Sequence, residues 1–129
     1  MDLDWLIVGA GPAGCAAALT LGSRPGGLAG GVILERARHP RPKPCGGVIA
    51  PRAASLLQRW VPDLKAQPVR WLHLRRDGRE LRFRLPRPAL AVHRPAFDAA
   101  LARAVREAGG DLREGHPVLG LRREGARWE

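Results

Sequence analysis

The chain has 129 residues, 45% of them hydrophobic and 26% charged, which suits one domain with a modest core and is too apolar for a disordered segment. Basic residues outnumber acidic ones by 22 to 12, but they are nearly all arginines, scattered and with few aromatics between them, which argues against nucleic acid as the principal partner. No apolar run reaches the roughly 18 to 20 residues that cross a bilayer, and no signal-peptide pattern precedes the first strand. The expected location is therefore the cytoplasm, with a peripheral contact to the inner face of the membrane left open.

The apolar run from Leu3 to Val8 predicts a strand, and it enters Gly9-x-Gly11-x-x-Gly14. In a strand–turn–helix unit these glycines have separate duties. Gly9 permits the tight turn, Gly11 lets the backbone approach a pyrophosphate, and Gly14 lets the helix pack against the strand. The helix N-terminus then presents free N–H groups to the anion. Pro12 fits the first helical turn, where no N–H is needed, and the helix is expected to end near Leu21. The glycine-rich stretch 24–31 reads as a surface loop with no assigned function. Val32-Ile33-Leu34 reads as a buried second strand ending in Glu35, about 20 residues beyond Gly14, where a carboxylate accepts hydrogen bonds from an adenosine ribose.

Residues 36–47 are too rich in proline and arginine for a helix or a central strand, and are expected to run extended. Pro51 to about Trp60 predicts a short helix with Leu56, Leu57 and Trp60 on one side. Alternation of apolar and basic residues over 69–75 and 80–85, joined through Asp77-Gly78, predicts a hairpin with a type I′ turn, one apolar face and one arginine face. A charged outer face on a half-buried antiparallel sheet is the ordinary explanation of that pattern. Ala89 to Val92 reads as a third strand. Arg94 opens a helix with Phe97, Leu101 and Val105 on one stripe, closed by Gly109-Gly110. Asp111–Gly115 and Val118–Leu121 read as the next strand and its continuation. Residues 126–129 read as the start of a strand with no partner, as if the chain stopped within a hairpin.

Cys15 and Cys45 form no disulfide framework, and no zinc-ligand spacing is present. Cys15 falls in the packed part of the first helix and is expected to be inert. Cys45, with Lys43 and Arg41 nearby in an extended segment, is expected to face a cofactor or substrate. His39, His73, His93 and His116 are widely separated and read as surface or loop residues. No nucleophile elbow or catalytic triad is visible, so the catalytic residues are not assigned.

The order of elements separates cofactor classes. A nicotinamide-type Rossmann half passes from the second strand through one helix to the third, whereas here residues 36–110, with their own antiparallel sheet, intervene. That insertion suits a flavin dinucleotide better, and Glu35 argues against a 2′-phosphate at the same place, because the two anions repel. The fold class expected is α/β: a Rossmann-like FAD-binding half, with parallel strands and packed helices, and a small antiparallel sheet inserted between strands two and three.

The opening Gly9–Gly14 motif, Glu35-Arg36, Lys43-Pro44-Cys45-Gly46-Gly47 and Arg94-x-x-Phe97-Asp98-x-x-Leu101 together resemble the FAD-dependent oxidoreductases of the para-hydroxybenzoate hydroxylase superfamily, in particular its geranylgeranyl reductase branch. The resemblance implies that Gly9, Gly11, Pro12, Ala13 and Gly14 lie along the pyrophosphate, and that Glu35, with Arg36 beside it, meets the ribose. It further implies that Cys45, Gly46 and Gly47 lie toward the flavin, that Arg94 pairs with the pyrophosphate, and that Val118 meets the adenine through its backbone. It implies FAD as cofactor, NAD(P)H as one candidate external donor, and an isoprenoid or other hydrophobic double bond as substrate, reduced by flavin hydride transfer.

The superfamily's second cofactor motif, a Gly-Asp in the C-terminal part, is missing here. Residues 1–129 are accordingly expected to be the N-terminal portion of a FAD-binding domain, with 48–93 as an inserted substrate-side subregion. The missing half would follow in a longer chain or come as a separate one, and the portion alone is expected to be inactive. A flavin monooxygenase or halogenase of the same superfamily, and a non-catalytic nucleotide-binding or basic interaction module, are the competing readings.

Overall fold

The computed structural model describes residues 3–125 and 127–128, which form two compact units, Met1–Arg41 with Asp98–Glu129, and Pro42–Phe97. In the first unit three strands, β1 (Trp5–Val8), β2 (Gly31–Glu35) and β6 (Leu112–Glu114), pair in parallel in the order β1-β2-β6. The central strand of this sheet is the predicted second strand, because a Val-Ile-Leu run buries well on both faces. Helix α1 (Pro12–Gly22) follows β1, and its alanines let it lie close, with Cys15, Ala18 and Leu19 buried. Helix α3 (Arg94–Glu107) buries Phe97, Leu101, Ala102 and Val105, all three residues of the predicted stripe among them.

The loop left without a role, 24–31, has a packing reason for its glycines. A β-carbon on Gly31 would overlap the Trp5 indole and one on Gly30 would overlap the Asp4 carboxylate, while Leu28 is a buried core residue beside Gly22 and Gly110. The glycine pair thus lets the chain pass beneath the Trp5 ring into β2.

In the second unit β3 (Val48–Ile49), β5 (Arg79–Val92) and β4 (Ala66–Arg76) form an antiparallel sheet in the order β3-β5-β4, beside which α2 (Pro51–Trp60) buries Leu57. Asp77 and Gly78 both have positive φ, 48° and 75°, as a type I′ turn requires. The predicted third strand is not separate: β5 runs through Pro86 and Pro88 to Val92. Nor is the hairpin half-buried. Leu72 pairs with Phe83 and Leu74 with Leu81 on one face, and all four are exposed, while His73, Arg75, Arg82 and Arg84 occupy the other. Leu56, expected beside Leu57, is exposed as well.

Two corrections concern the last residues. Val118–Leu121 has no regular structure, because β6 ends at Glu114 and Gly115 turns away with φ of 75°. Arg127–Trp128, read as partnerless, forms β8 and pairs antiparallel with β7 (Arg123–Glu124); Ala126 and Glu129 lie outside the described residues. No helix among the described residues is long and apolar enough to cross a membrane.

Candidate functional site

The end of β1, the N-terminus of α1 and the end of β2 meet in the first unit. Gly9 leaves β1 with φ of 96°, a value that favours glycine, and its N–H donates to the Leu34 carbonyl at 2.7 Å. A β-carbon on Gly14 would overlap the Gly9 carbonyl oxygen, so this glycine is fixed by helix–strand packing. Gly11 differs. It is the N-cap of α1 with φ of −76°, open to any residue, and a β-carbon there would meet only the Arg41 guanidinium, at 3.7 Å. Packing therefore does not explain a glycine at 11. Ala13 is exposed in the first turn, and Pro12 opens the helix.

Glu35 closes β2 with its side chain almost wholly buried. Oε2 accepts the Ala10 N–H at 2.8 Å and Oε1 accepts the Ala37 N–H at 3.0 Å, and Arg41 Nη2 reaches Oε2 at 3.3 Å. Burial pushes this carboxyl's pKa up, but the two backbone N–H groups, then Arg41 and His39, outweigh it and hold the group below the usual carboxylate range. An ionised carboxylate offers about four acceptor positions, and these contacts use three, two on Oε2 and one on Oε1.

Sequence reasoning missed Arg41 and Asp98. Arg41 Nη2 lies between Glu35 and Asp98 Oδ2, 4.0 Å from the latter, and Asp98 is fully buried. Nothing in the proline-rich segment marks Arg41 by periodicity. Asp98 did carry a signal: with Ala102 and Val105 it occupies positions i, i+4 and i+7 of α3, an acid on the buried side of an amphipathic helix.

Cys15 is buried, its thiol donating to the Ala10 carbonyl at 3.4 Å. Burial first, then the Asp98 and Glu35 carboxylates, push its pKa up to about 12, which disfavours the thiolate. His39 lies in a loop, one of the two settings expected for it, but its side chain is only 3% exposed, with Glu114 as partner for Nδ1. Arg36 is exposed just after β2, and Val118 is half-buried in the irregular segment.

Cys45, Gly46, Gly47 and Arg94 belong to the second unit. Cys45 is exposed, and its Sγ accepts the Gly47 N–H at 3.4 Å. Gly47 has φ of 67° and a packing duty, since a β-carbon there would overlap the Val92 carbonyl, while Gly46 borders open space. Arg94 is the first residue of α3.

The chain matches no family model and no curated protein sequence. Among solved structures it is similar to a myxobacterial chondrochloren halogenase, described as a variant of FAD-dependent halogenases, with 25% identity and a TM-score of 0.79 over 97% of this chain and 31% of that one. It is similar to a flavoprotein/dehydrogenase from Cytophaga hutchinsonii, with 24% identity and a TM-score of 0.74 over 97% of this chain and 33% of that one. A geranylgeranyl bacteriochlorophyll reductase-like protein from Thermoplasma acidophilum matches with 22% identity and a TM-score of 0.70, over 95% of this chain and 32% of that one. The chain spans about a third of the length of each, and its fold is that of the FAD-binding, Rossmann-type flavoproteins.

Proposed function

We propose that this chain is the dinucleotide-binding portion of an FAD-dependent oxidoreductase, with the Gly9–Gly14 turn built for the pyrophosphate and Glu35 for the ribose. One observation carries the reading. Gly11 needs no glycine for packing or backbone conformation, yet it stands at a helix N-terminus beneath the Arg41 guanidinium, beside a buried, ionised acid with one acceptor position free. Backbone N–H groups and a guanidinium suit a diphosphate, and a lone acceptor suits a hydroxyl. The residues present thus fit the ADP half of FAD. When bound, the flavin supplies hydride transfer; the chain binds and orients it.

Within that class, Lys43-Pro44-Cys45-Gly46-Gly47 supports a reductase of hydrophobic, isoprenoid-like double bonds that draws electrons from NAD(P)H. The halogenase among the similar structures supports the competing reading, a halogenase or monooxygenase. Equilibrium titration with FAD, NAD and NADP tests the shared part. FAD is expected to bind tightest and NADP weakest, because Glu35 repels a 2′-phosphate. Preference for NADP would contradict the reading, and no dinucleotide binding would leave a non-catalytic module.

A further inference from the structure

Between Glu35, which ends β2, and Arg41 the chain has no regular structure, so no ladder of strand hydrogen bonds fixes residues 36–41. Glu114, the last residue of β6, takes that place. Its Oε1 accepts the backbone N–H of His39 at 3.0 Å and stands 2.6 Å from His39 Nδ1. Its Oε2 meets Arg106 Nη2, in the last turn of α3, at 3.2 Å. The His39 side chain is 3% exposed and that of Glu114 18%, so the pair is shielded from solvent and from salt, unlike a surface ion pair. At the other end of the segment the His116 N–H donates to the Glu35 carbonyl at 2.9 Å. The main chain is therefore tied to the β6 region at residue 35 and again at residue 39, two residues before Arg41.

We propose that His39 and Glu114 are positioning residues for the candidate nucleotide site: together they clamp the 35–41 segment onto β6, and so set the Glu35 carboxylate and the Arg41 guanidinium against the Gly9–Gly14 turn. Neither acts on the ligand itself. Because Glu114 holds both the backbone and the ring of His39, losing the ring leaves one bond of two, and losing the carboxylate removes both. Arg106 shares that carboxylate, and neutralising Glu114 also leaves its guanidinium without this partner.

The clamp rests on the nucleotide reading for its purpose but not for its existence, and amide hydrogen exchange in the ligand-free chain tests the latter. In His39→Ala and Glu114→Ala, exchange at Ala37 and Ala10, whose N–H groups Glu35 holds, is expected to rise about tenfold or more, the equivalent of one charge-assisted hydrogen bond. Ile33, in the middle of β2, is expected to keep its protection. His39→Asn retains a side-chain donor near Nδ1 and is expected to restore the native rate at Ala37. If His39→Ala fails to fold, Glu114→Gln, which keeps volume and an acceptor but not the charge, carries the same comparison against Ile33. Unchanged exchange at Ala37 and Ala10, or equal loosening in His39→Asn and His39→Ala, overturns the clamp. Titration with ADP separates the two claims: a native chain that binds no ADP while Ala37 loosens as expected removes the nucleotide reading and keeps the clamp. Equal ADP affinity in native and His39→Ala proteins removes the positioning role.

Discussion

At the scale of single residues, the glycines of one motif answer to different forces, and substitution separates them. Gly11→Ala adds a methyl group with only the Arg41 guanidinium near it, so the fold is expected to survive. The same methyl group occupies the space against the backbone where the pyrophosphate is proposed to lie, and FAD affinity is expected to fall about tenfold or more, at about 1.4 kcal/mol per decade. Gly14→Ala drives a β-carbon into the Gly9 carbonyl and is expected to cost roughly 1–3 kcal/mol of stability, read as a lower melting temperature. A Gly11→Ala protein that binds FAD normally would reduce the turn to structure alone. The carboxylates add a pH dependence. Glu35 and Glu114 both sit below their ordinary pKa in the folded chain, despite the upward push of burial on each, because of hydrogen bonds and neighbouring cations. Their contribution to stability is complete above the unfolded value of about 4.3 and is lost as pH falls below it toward the folded values. Denaturant midpoints should be flat above that range and drop below it, and the drop should shrink in Glu114→Gln. The place of Glu35 at the end of β2 was legible in the sequence from the apolar run before it. Arg41 was not, since its place depends on a bend in an irregular segment and on a buried partner from a helix far along the chain.

At the scale of elements, local signals carried furthest where the chain's own chemistry decides the conformation. Pro51 to Trp60 formed the helix its pattern predicts, and Asp77-Gly78 made the turn its two positive φ angles demand. The failures arose where pairing decides. Val48–Ile49 is a strand only because β5 offers it an edge, and β5 absorbs the predicted third strand because its length is set by pairing with β4 and β3 rather than by the prolines inside it. Alternation in the hairpin gave the two faces but not their exposure, since nothing among the described residues covers Leu72, Leu74, Leu81 and Phe83 enough to bury them. That exposure has a consequence for this 129-residue chain. Leu74→Ser with Leu81→Ser is expected to change stability by less than about 1 kcal/mol, as surface substitutions do. A loss of several kcal/mol, measured by denaturant unfolding, would mean that the face is covered in solution.

At the scale of the whole molecule, the parallel sheet, its glycine turn and the inserted antiparallel sheet follow from the order of apolar runs, and the division into two compact units accompanies that order. What the pattern could not supply is the set of contacts that join distant segments within the first unit: Arg41 with Asp98, His39 with Glu114, and Trp5 across Gly31. Each links residues whose separation in sequence exceeds any local period. The proposed dinucleotide site is confined to the Gly9–Gly14 turn and Glu35, whereas the chain's 22 basic residues attract an anionic nucleotide without specificity. Mapping amide chemical shifts of the isotope-labelled chain while FAD is added distinguishes the two directly. Saturable changes concentrated at residues 9–14 and 35–37, persisting at high salt, are expected of the dinucleotide site. Changes confined to the arginine face of the β4–β5 hairpin, or spread over the arginines and abolished by salt, would contradict it.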